Sequence, residues 1–182
     1  MDHGASDKAP EILLSRHEIE QRVRELAVEI AKDYRGSTPH LIGILKGAWI
    51  FMADLIRHLD IDVTIDFLGI TSYGSNAHSS GEVKITKDLD NSINGREVLI
   101  VEDILDTGRT LRYLEEVLSA HKPHNLRVVT LLDKRSRRVV PVKADYVGFE
   151  IADVFVVGYG LDFDQKYRQL PDIHVLRGER SR

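Results

Sequence analysis

The stretch from Val98 to Leu111 constrains this chain more than any other. Val98-Leu-Ile-Val101 is an unbroken apolar run, long enough for a buried strand and too short for a helix. Two adjacent acids, Glu102 and Asp103, follow at once. A short loop, Ile104 to Gly108, leads into Thr107-Gly108-Arg109-Thr110, and Leu111, Leu114 and Leu118 then recur on one face of a helix. Strand, acidic pair, small-residue loop and helix start, in that order, belong to an open α/β sheet. Such sheets take ligands at the carboxyl ends of their strands. A helix N-terminus there adds outward-pointing N–H groups, which favour phosphate.

Composition narrows the setting. A chain of 182 residues suits one domain, and 42% hydrophobic with 30% charged residues is ordinary for a soluble globular fold. The net charge of −4 argues against a nucleic-acid footprint over the whole surface. With no cysteine, disulfides, thiolate metal sites and cysteine nucleophiles are excluded. No apolar run has the length of a membrane span, and the N-terminus lacks the apolar core of a signal peptide. The expected location is the cytoplasm, with no membrane partner.

The remaining segments alternate between strand and helix patterns. Residues 1–10 are polar and without period, and are expected to be flexible. Ser15-Arg-His-Glu18 matches a capping box, followed at helical spacing by Ile19, Val23, Leu26, Ala27 and Ile30. His40 to Leu45 reads as a buried strand, Lys46-Gly47 as its exit, and Ala48 to Leu59 as an apolar helix. Ile61, Val63, Ile65 and Phe67 alternate with Asp62, Thr64 and Asp66, which predicts a half-exposed strand with its polar residues outward. Residues 72–82 are small and polar: a plain mobile loop, or a lid that closes over a site and excludes water. Glu82 to Lys87 reads as a return strand, and Asn94-Gly95 as a turn. Leu126 to Asp133 is another strand, and Lys134 to Arg138 a basic run expected as a solvated loop or subunit contact. Asp145 to Phe149, Val154 to Val157 and His174 to Leu176 are short strands. Strands alternating with helices imply a mostly parallel sheet.

The loop amides of Asp106 to Thr110, with the Thr107 and Thr110 hydroxyls, can form an anion cradle, and Gly108 permits its tight backbone. Glu102 and Asp103 can accept hydrogen bonds from two neighbouring hydroxyls, or help hold Mg²⁺. A sugar phosphate carrying a vicinal diol satisfies both halves. The Gly-Lys-Ser/Thr of a Walker loop and the Gly-x-Gly-x-x-Gly dinucleotide fingerprint are both absent.

Val98 to Leu111 resembles the phosphoribosyl pyrophosphate motif of type I phosphoribosyltransferases. Leu45-Lys-Gly47, Ser72-Tyr-Gly74, Leu132-Asp-Lys134 and Val147 to Ile151 with Val156 to Asp162 match the bacterial hypoxanthine-guanine branch in order. The likeness extends from about Leu13 to Leu176. It implies a single α/β domain over residues 1–182, with a Rossmann-like, mostly parallel sheet flanked by helices. A small hood would form from the N-terminal and C-terminal segments. It also implies a homodimer or homotetramer, and transfer of 5-phosphoribosyl from phosphoribosyl pyrophosphate to N9 of hypoxanthine or guanine.

Roles follow from the same resemblance. Asp106 would be the acid or base at N7 of the purine; its plain alternative is an Asp that caps the loop. Thr107, Gly108, Arg109 and Thr110 would hold the 5′-phosphate. Glu102 and Asp103 would hold the ribose hydroxyls, with Mg²⁺ as cofactor near them and Asp162 as a second metal-linked carboxylate on the purine side. Lys46, Gly47 and Arg168 would meet the pyrophosphate, with a non-proline cis bond at that point. Lys134 would donate to the 6-oxo group, Phe155 would stack on the base, and Val156 would offer backbone groups, although an apolar strand needs such residues anyway. Ser72 and Tyr73 would ride on the lid. A different reading is a regulator that keeps the fold, senses phosphoribosyl pyrophosphate and binds RNA through Lys134 to Arg138. The full set of Lys46, Asp106, Asp162 and Arg168 and the net charge favour the enzyme, with no nucleic-acid partner.

Overall fold

The computed structural model describes residues 11–72 and 83–176. The order is β1 (Glu11–Leu14), α1 (Arg16–Asp33), β2 (His40–Leu45), α2 (Trp49–His58), β3 (Thr64–Ser72) and β4 (Val83–Lys87). Then come β5 (Glu97–Leu105), α3 (Arg109–Ala120), β6 (Asn125–Asp133), β7 (Tyr146–Glu150), β8 (Val156–Val157) and β9 (Ile173–Val175). The main sheet has the strand order β4-β3-β2-β5-β6-β7, parallel except where β4 returns antiparallel to β3. A small antiparallel sheet, β1-β9-β8, joins the two ends of the described chain.

Period-two alternation decides which helix covers which face. Leu41, Leu99, Val101, Val129 and Leu131 pack with Val23, Leu26 and Ile30 of α1 and Phe51, Met52 and Leu55 of α2. Ile42, Ile44, Val98, Ile100 and Val128 pack with Leu111, Leu114 and Leu118 of α3. Helices on both faces bury the middles of the central strands, so residues 41–45 of β2 and 98–101 of β5 read as unbroken apolar runs. The chain leaves β2 through α2 towards β3 and leaves β5 through α3 towards β6. Strand order therefore reverses between β2 and β5, and a crevice opens at their carboxyl ends. That crevice positions the site.

α1 begins as its capping box requires. Ser15 Oγ accepts the Glu18 N–H at 3.3 Å and Glu18 Oε2 accepts the Ser15 N–H at 2.8 Å. The box stabilises the helix start by about 1 kcal/mol.

Four expectations change. β5 runs on to Leu105, so Glu102, Asp103 and Ile104 belong to the strand and the loop shrinks to Asp106–Gly108. β3 starts at Thr64 and inverts the expected faces: Ile65 is 44% exposed, whereas Asp66 is 4% exposed. Asp66 is drawn inward because it closes the connection between β4 and β5. Its carboxylate accepts the N–H groups of Phe67 at 2.7 Å, Asp90 at 2.8 Å and Asn91 at 3.2 Å, and Lys87 lies 3.6 Å away. β1 has no alternation long enough to announce it; it forms because β9 pairs with it. The strand expected from Val154 is only Val156–Val157. Residues 1–10, Tyr73 and the rest of the expected lid to residue 82 lie outside the described residues.

His40 lies beside Asp66 and is 1% exposed, with Nδ1 2.8 Å from Thr64 Oγ1 and Nε2 4.0 Å from Asp66 Oδ2. Burial and the nearby Arg96 lower its pKa, and the long reach to Asp66 does not offset them, so the fold favours the neutral ring over the charged one. Burial alone would raise Asp66, but its three N–H donors and Lys87 bring it below the usual carboxylate range. Both shifts have the same sign for stability. Below about pH 6.5 the unfolded chain takes up a proton that folded His40 resists, and further down Asp66 behaves likewise. Chemical denaturation should therefore show stability falling from pH 7.5 to 5.5, and His40→Gln should flatten that slope. An equal slope in the variant would remove His40 as its source.

Candidate active site

The crevice holds two adjoining cavities. The smaller, about 240 Å³, lies between the end of β2 and the turn into α3, and is lined by Gly47, Glu102, Asp103, Asp106, Thr107, Gly108 and Thr110 among others. The larger, about 750 Å³, is lined by Lys46, Lys134, Arg137, Asp153, Phe155, Val156, Asp162 and Arg168. Gly47, Asp103, Ile104, Asp106 and Thr107 line both.

The smaller cavity is an anion cradle by construction. Gly108 is the N-cap of α3 at φ 86°, a conformation that favours glycine, and no side chain caps the helix start. The Arg109 N–H donates to Thr107 Oγ1 at 3.4 Å, and the following first-turn N–H groups are left to a ligand. A strap of chain fixes the turn from outside: Val139 and Val140 donate to Thr107 O at 3.0 and 3.3 Å, and a Cβ on Gly108 would crowd Val142. Across the cavity the Leu45–Lys46 peptide is cis. A Cβ on Gly47 would overlap the Asp103 carboxylate, so glycine lets the exit of β2 lie directly on the end of β5.

Glu102 is buried and Asp103 half-buried at that edge. Burial, then the charge of Asp103, push Glu102 well above the ordinary carboxylate range. Burial pushes Asp103 up to about 6, against the Ile104 N–H donated to Oδ1 at 2.8 Å and the positive charge of Arg168. Two carboxylates this close and this dry favour a cation between them and a ligand's oxygens. Among the described residues, however, no three His, Cys, Asp or Glu group closely enough to hold a metal. Glu102 and Asp103 thus have no third such ligand grouped with them among the described residues, and Asp162 stands apart. Asp162 is engaged elsewhere, with Oδ1 2.7 Å from Arg168 and Oδ2 accepting the Gln165 N–H at 2.8 Å.

The larger cavity presents cations, an aromatic wall and a backbone edge. Lys134, 6% exposed, follows β6 and donates its N–H to Leu105 O at 2.9 Å. Burial lowers its pKa, while Asp106 and Asp153 oppose that shift. Phe155 is 36% exposed and held edge-on against Phe163, with ring centroids 5.6 Å apart. Val156 is buried and pairs with Val175. Arg168 donates to Gly160 O at 2.6 Å, and Lys46 Nζ donates to Gln165 Oε1 at 3.2 Å.

The structure thus brings Lys46, Gly47, Glu102, Asp103, Asp106, Thr107, Gly108, Thr110, Lys134, Phe155, Val156, Asp162 and Arg168 to one crevice. The Arg109 side chain is exposed and lines neither cavity, leaving its backbone as the part at the turn. Ser72 ends β3, and Tyr73 is outside the described residues. The basic run, expected as a solvated loop or a subunit contact, has its arginines engaged by carboxylates of this chain. Arg135 pairs with Asp133 and Glu150, each at 3.3 Å; Arg137 pairs with Asp106 at 3.2 Å; and Arg138 pairs with Asp133 and donates to Asp106 O at 2.6 Å. Asp153 and Arg137 escape the sequence reading as site residues. The available signal was that the run leaves β6 at the same sheet edge as the Asp106 turn.

Comparison with known proteins agrees with this geometry. The family model described as "Phosphoribosyl transferase domain" matches residues 11–164. The hypoxanthine-guanine phosphoribosyltransferase of Bacillus subtilis is 52% identical over 91% of this chain and 92% of its own length. A crystal structure of a hypoxanthine-guanine phosphoribosyltransferase from Bacillus anthracis superposes with a TM-score of 0.88 at 46% identity, over 93% of this chain and 99% of that one. A hypoxanthine phosphoribosyltransferase from Staphylococcus aureus gives a TM-score of 0.87 at 47% identity, over 92% and 91% of the two chains. The chain belongs to the phosphoribosyltransferase family, and within it to the hypoxanthine-guanine phosphoribosyltransferases.

Proposed function

We propose that the chain moves 5-phosphoribosyl from phosphoribosyl pyrophosphate to N9 of hypoxanthine or guanine, giving IMP or GMP and pyrophosphate. One observation carries this reading. A helix N-terminus without a side-chain cap beside the strand-end acids Glu102 and Asp103 and a wall of buried lysine and half-exposed phenylalanine meet at Asp106 and Thr107, which line both cavities. Donor and acceptor sites therefore share one boundary, where the glycosidic bond forms.

The division of roles follows. Thr107 to Thr110 hold the 5′-phosphate with N–H groups and hydroxyls. Glu102 and Asp103 accept from the ribose hydroxyls. Lys46, the Gly47 backbone and Arg168 face the pyrophosphate and stabilise the charge it gains as it leaves. Glu102 and Asp103 would hold Mg²⁺ at the ribose, with Asp162 as a separate carboxylate across the crevice and the remaining ligands from substrate oxygens and water, and the metal would neutralise part of the pyrophosphate charge. Phe155 packs on the purine plane, Lys134 donates to the 6-oxo group, Val156 presents backbone to the base edge, and Asp106 takes the proton at N7 as the ring becomes electron-rich at N9.

The RNA-binding reading is weakened by the ion pairs that occupy the basic run, whose cations are already matched by Asp133, Asp106, Glu150 and Asp153. We read the chain as cytoplasmic and self-associating, acting on small molecules. Incubation with phosphoribosyl pyrophosphate, Mg²⁺ and hypoxanthine should yield IMP and pyrophosphate in equal amounts, and chelation of the metal should suppress both. No nucleotide from any purine, with tight RNA binding instead, would overturn the enzyme in favour of the regulator.

A further inference from the structure

We propose that Arg137 is a positioning residue that holds the Asp106 carboxylate on the purine side of its turn. The proposal rests on the base role of Asp106 and deepens it. Asp106 lines both cavities, so its carboxylate has two places to point. Arg137 lines only the larger one. Its Nε lies 3.2 Å from Asp106 Oδ1 and its Nη1 lies 3.6 Å from Asp153 Oδ2. Asp153 stands two residues before Phe155, so one guanidinium ties the turn after β5 to the segment that carries the aromatic wall. A planar fork can hold two carboxylates at once in fixed directions, which a point charge cannot.

The neighbouring arginine shows what a structural role looks like at this place. Arg138 donates to the backbone oxygen of Asp106 and pairs with Asp133, and their side chains are only 15% and 5% exposed. The Arg137 and Asp106 side chains are 36% and 38% exposed. A pair that open to water adds little to stability. Its effect is to choose the carboxylate's direction, and an ångström of misplacement at a reacting group is expensive in rate.

The test compares Arg137→Gln and Arg137→Lys in the parent enzyme and in Asp106→Asn. Arg137→Gln should lower kcat on the order of tenfold to a hundredfold with KM for phosphoribosyl pyrophosphate held within about twofold. The thermal midpoint should not move, and Arg137→Lys should recover part of the rate. In the Asp106→Asn background, Arg137→Gln should cost nothing further. An unchanged kcat in Arg137→Gln, or the same fold loss in both backgrounds, overturns the proposal while leaving the base role standing. Full speed in Asp106→Asn removes the base role and the positioning role together.

Discussion

Asp106→Asn should lower kcat by about 10²–10⁴ while phosphoribosyl pyrophosphate still binds. The substitution keeps the shape of the side chain and an acceptor oxygen, but the amide cannot take the proton from N7. Nothing in the donor cradle depends on that proton. The cradle is made by the α3 N-terminus, the Thr107 and Thr110 hydroxyls and the strand-end acids, and the backbone of the turn is held from outside by Arg138, Val139 and Val140. Binding can be followed separately through Trp49, the single tryptophan, which lies two residues beyond Gly47 and is 47% exposed. A fluorescence titration with phosphoribosyl pyrophosphate should give nearly the same affinity for parent and variant. Equal kcat values would take Asp106 out of the proton transfer. A lost titration would show instead that Asp106 belongs to the donor site.

Most of the sheet is legible in the residues because burial on both faces leaves a simple signature. β2, β5 and β6 are apolar runs, and α1 and α3 carry their apolar residues at helical spacing with every expected core position buried. What misleads is polarity that has a local purpose. Glu102 and Asp103 look like the end of β5, yet the ladder with β6 continues through Ile104↔Leu132 and Leu105↔Asp133. Charged residues are tolerated there because they face a ligand cleft. Asp66 looks like a solvent residue, but three backbone donors draw it inward and leave Ile65 outside. The short first strand is illegible for another reason. β1 has four residues and is set by pairing with β9 at the far end of the chain, whereas the short β8 and β9 are read to within two residues of their bounds.

The candidate site divides in the same way. Residues carried by one continuous motif, Glu102 to Thr110, are readable together because strand, turn and helix follow without interruption. Lys46, Lys134, Phe155 and Arg168 reach the crevice from separate elements, and no spacing in the chain relates them. Resemblance supplies them, and the fold then explains their meeting: Lys46 and Lys134 follow β2 and β6 of the main sheet, while Phe155 precedes β8 and Arg168 comes from the connection between β8 and β9. The basic run shows the limit. Charge pattern alone suggests solvent, a subunit contact or RNA, while the structure uses Lys134, Arg137 and Arg138 to line and brace the site.

Lys134 makes the largest expected difference between substrates. Its ammonium is a donor only, buried at the end of β6. A 6-oxo group accepts from it, whereas the 6-amino group of adenine sets donor against donor and leaves both unpaired out of water. Sites built to hydrogen-bond one group reject the mismatched analogue by roughly 10⁴–10⁵. Guanine shares the 6-oxo group and should be used; uracil lacks the fused ring that reaches Asp106 and Phe155 together and should not. The most direct test of a crevice with a phosphoribosyl donor on one side and a 6-oxopurine on the other is therefore a ratio. It is kcat/KM for hypoxanthine over that for adenine, measured with phosphoribosyl pyrophosphate and Mg²⁺. A ratio of about 10⁴ or more is expected. Adenine used within about tenfold of hypoxanthine, or no turnover with either, would contradict it.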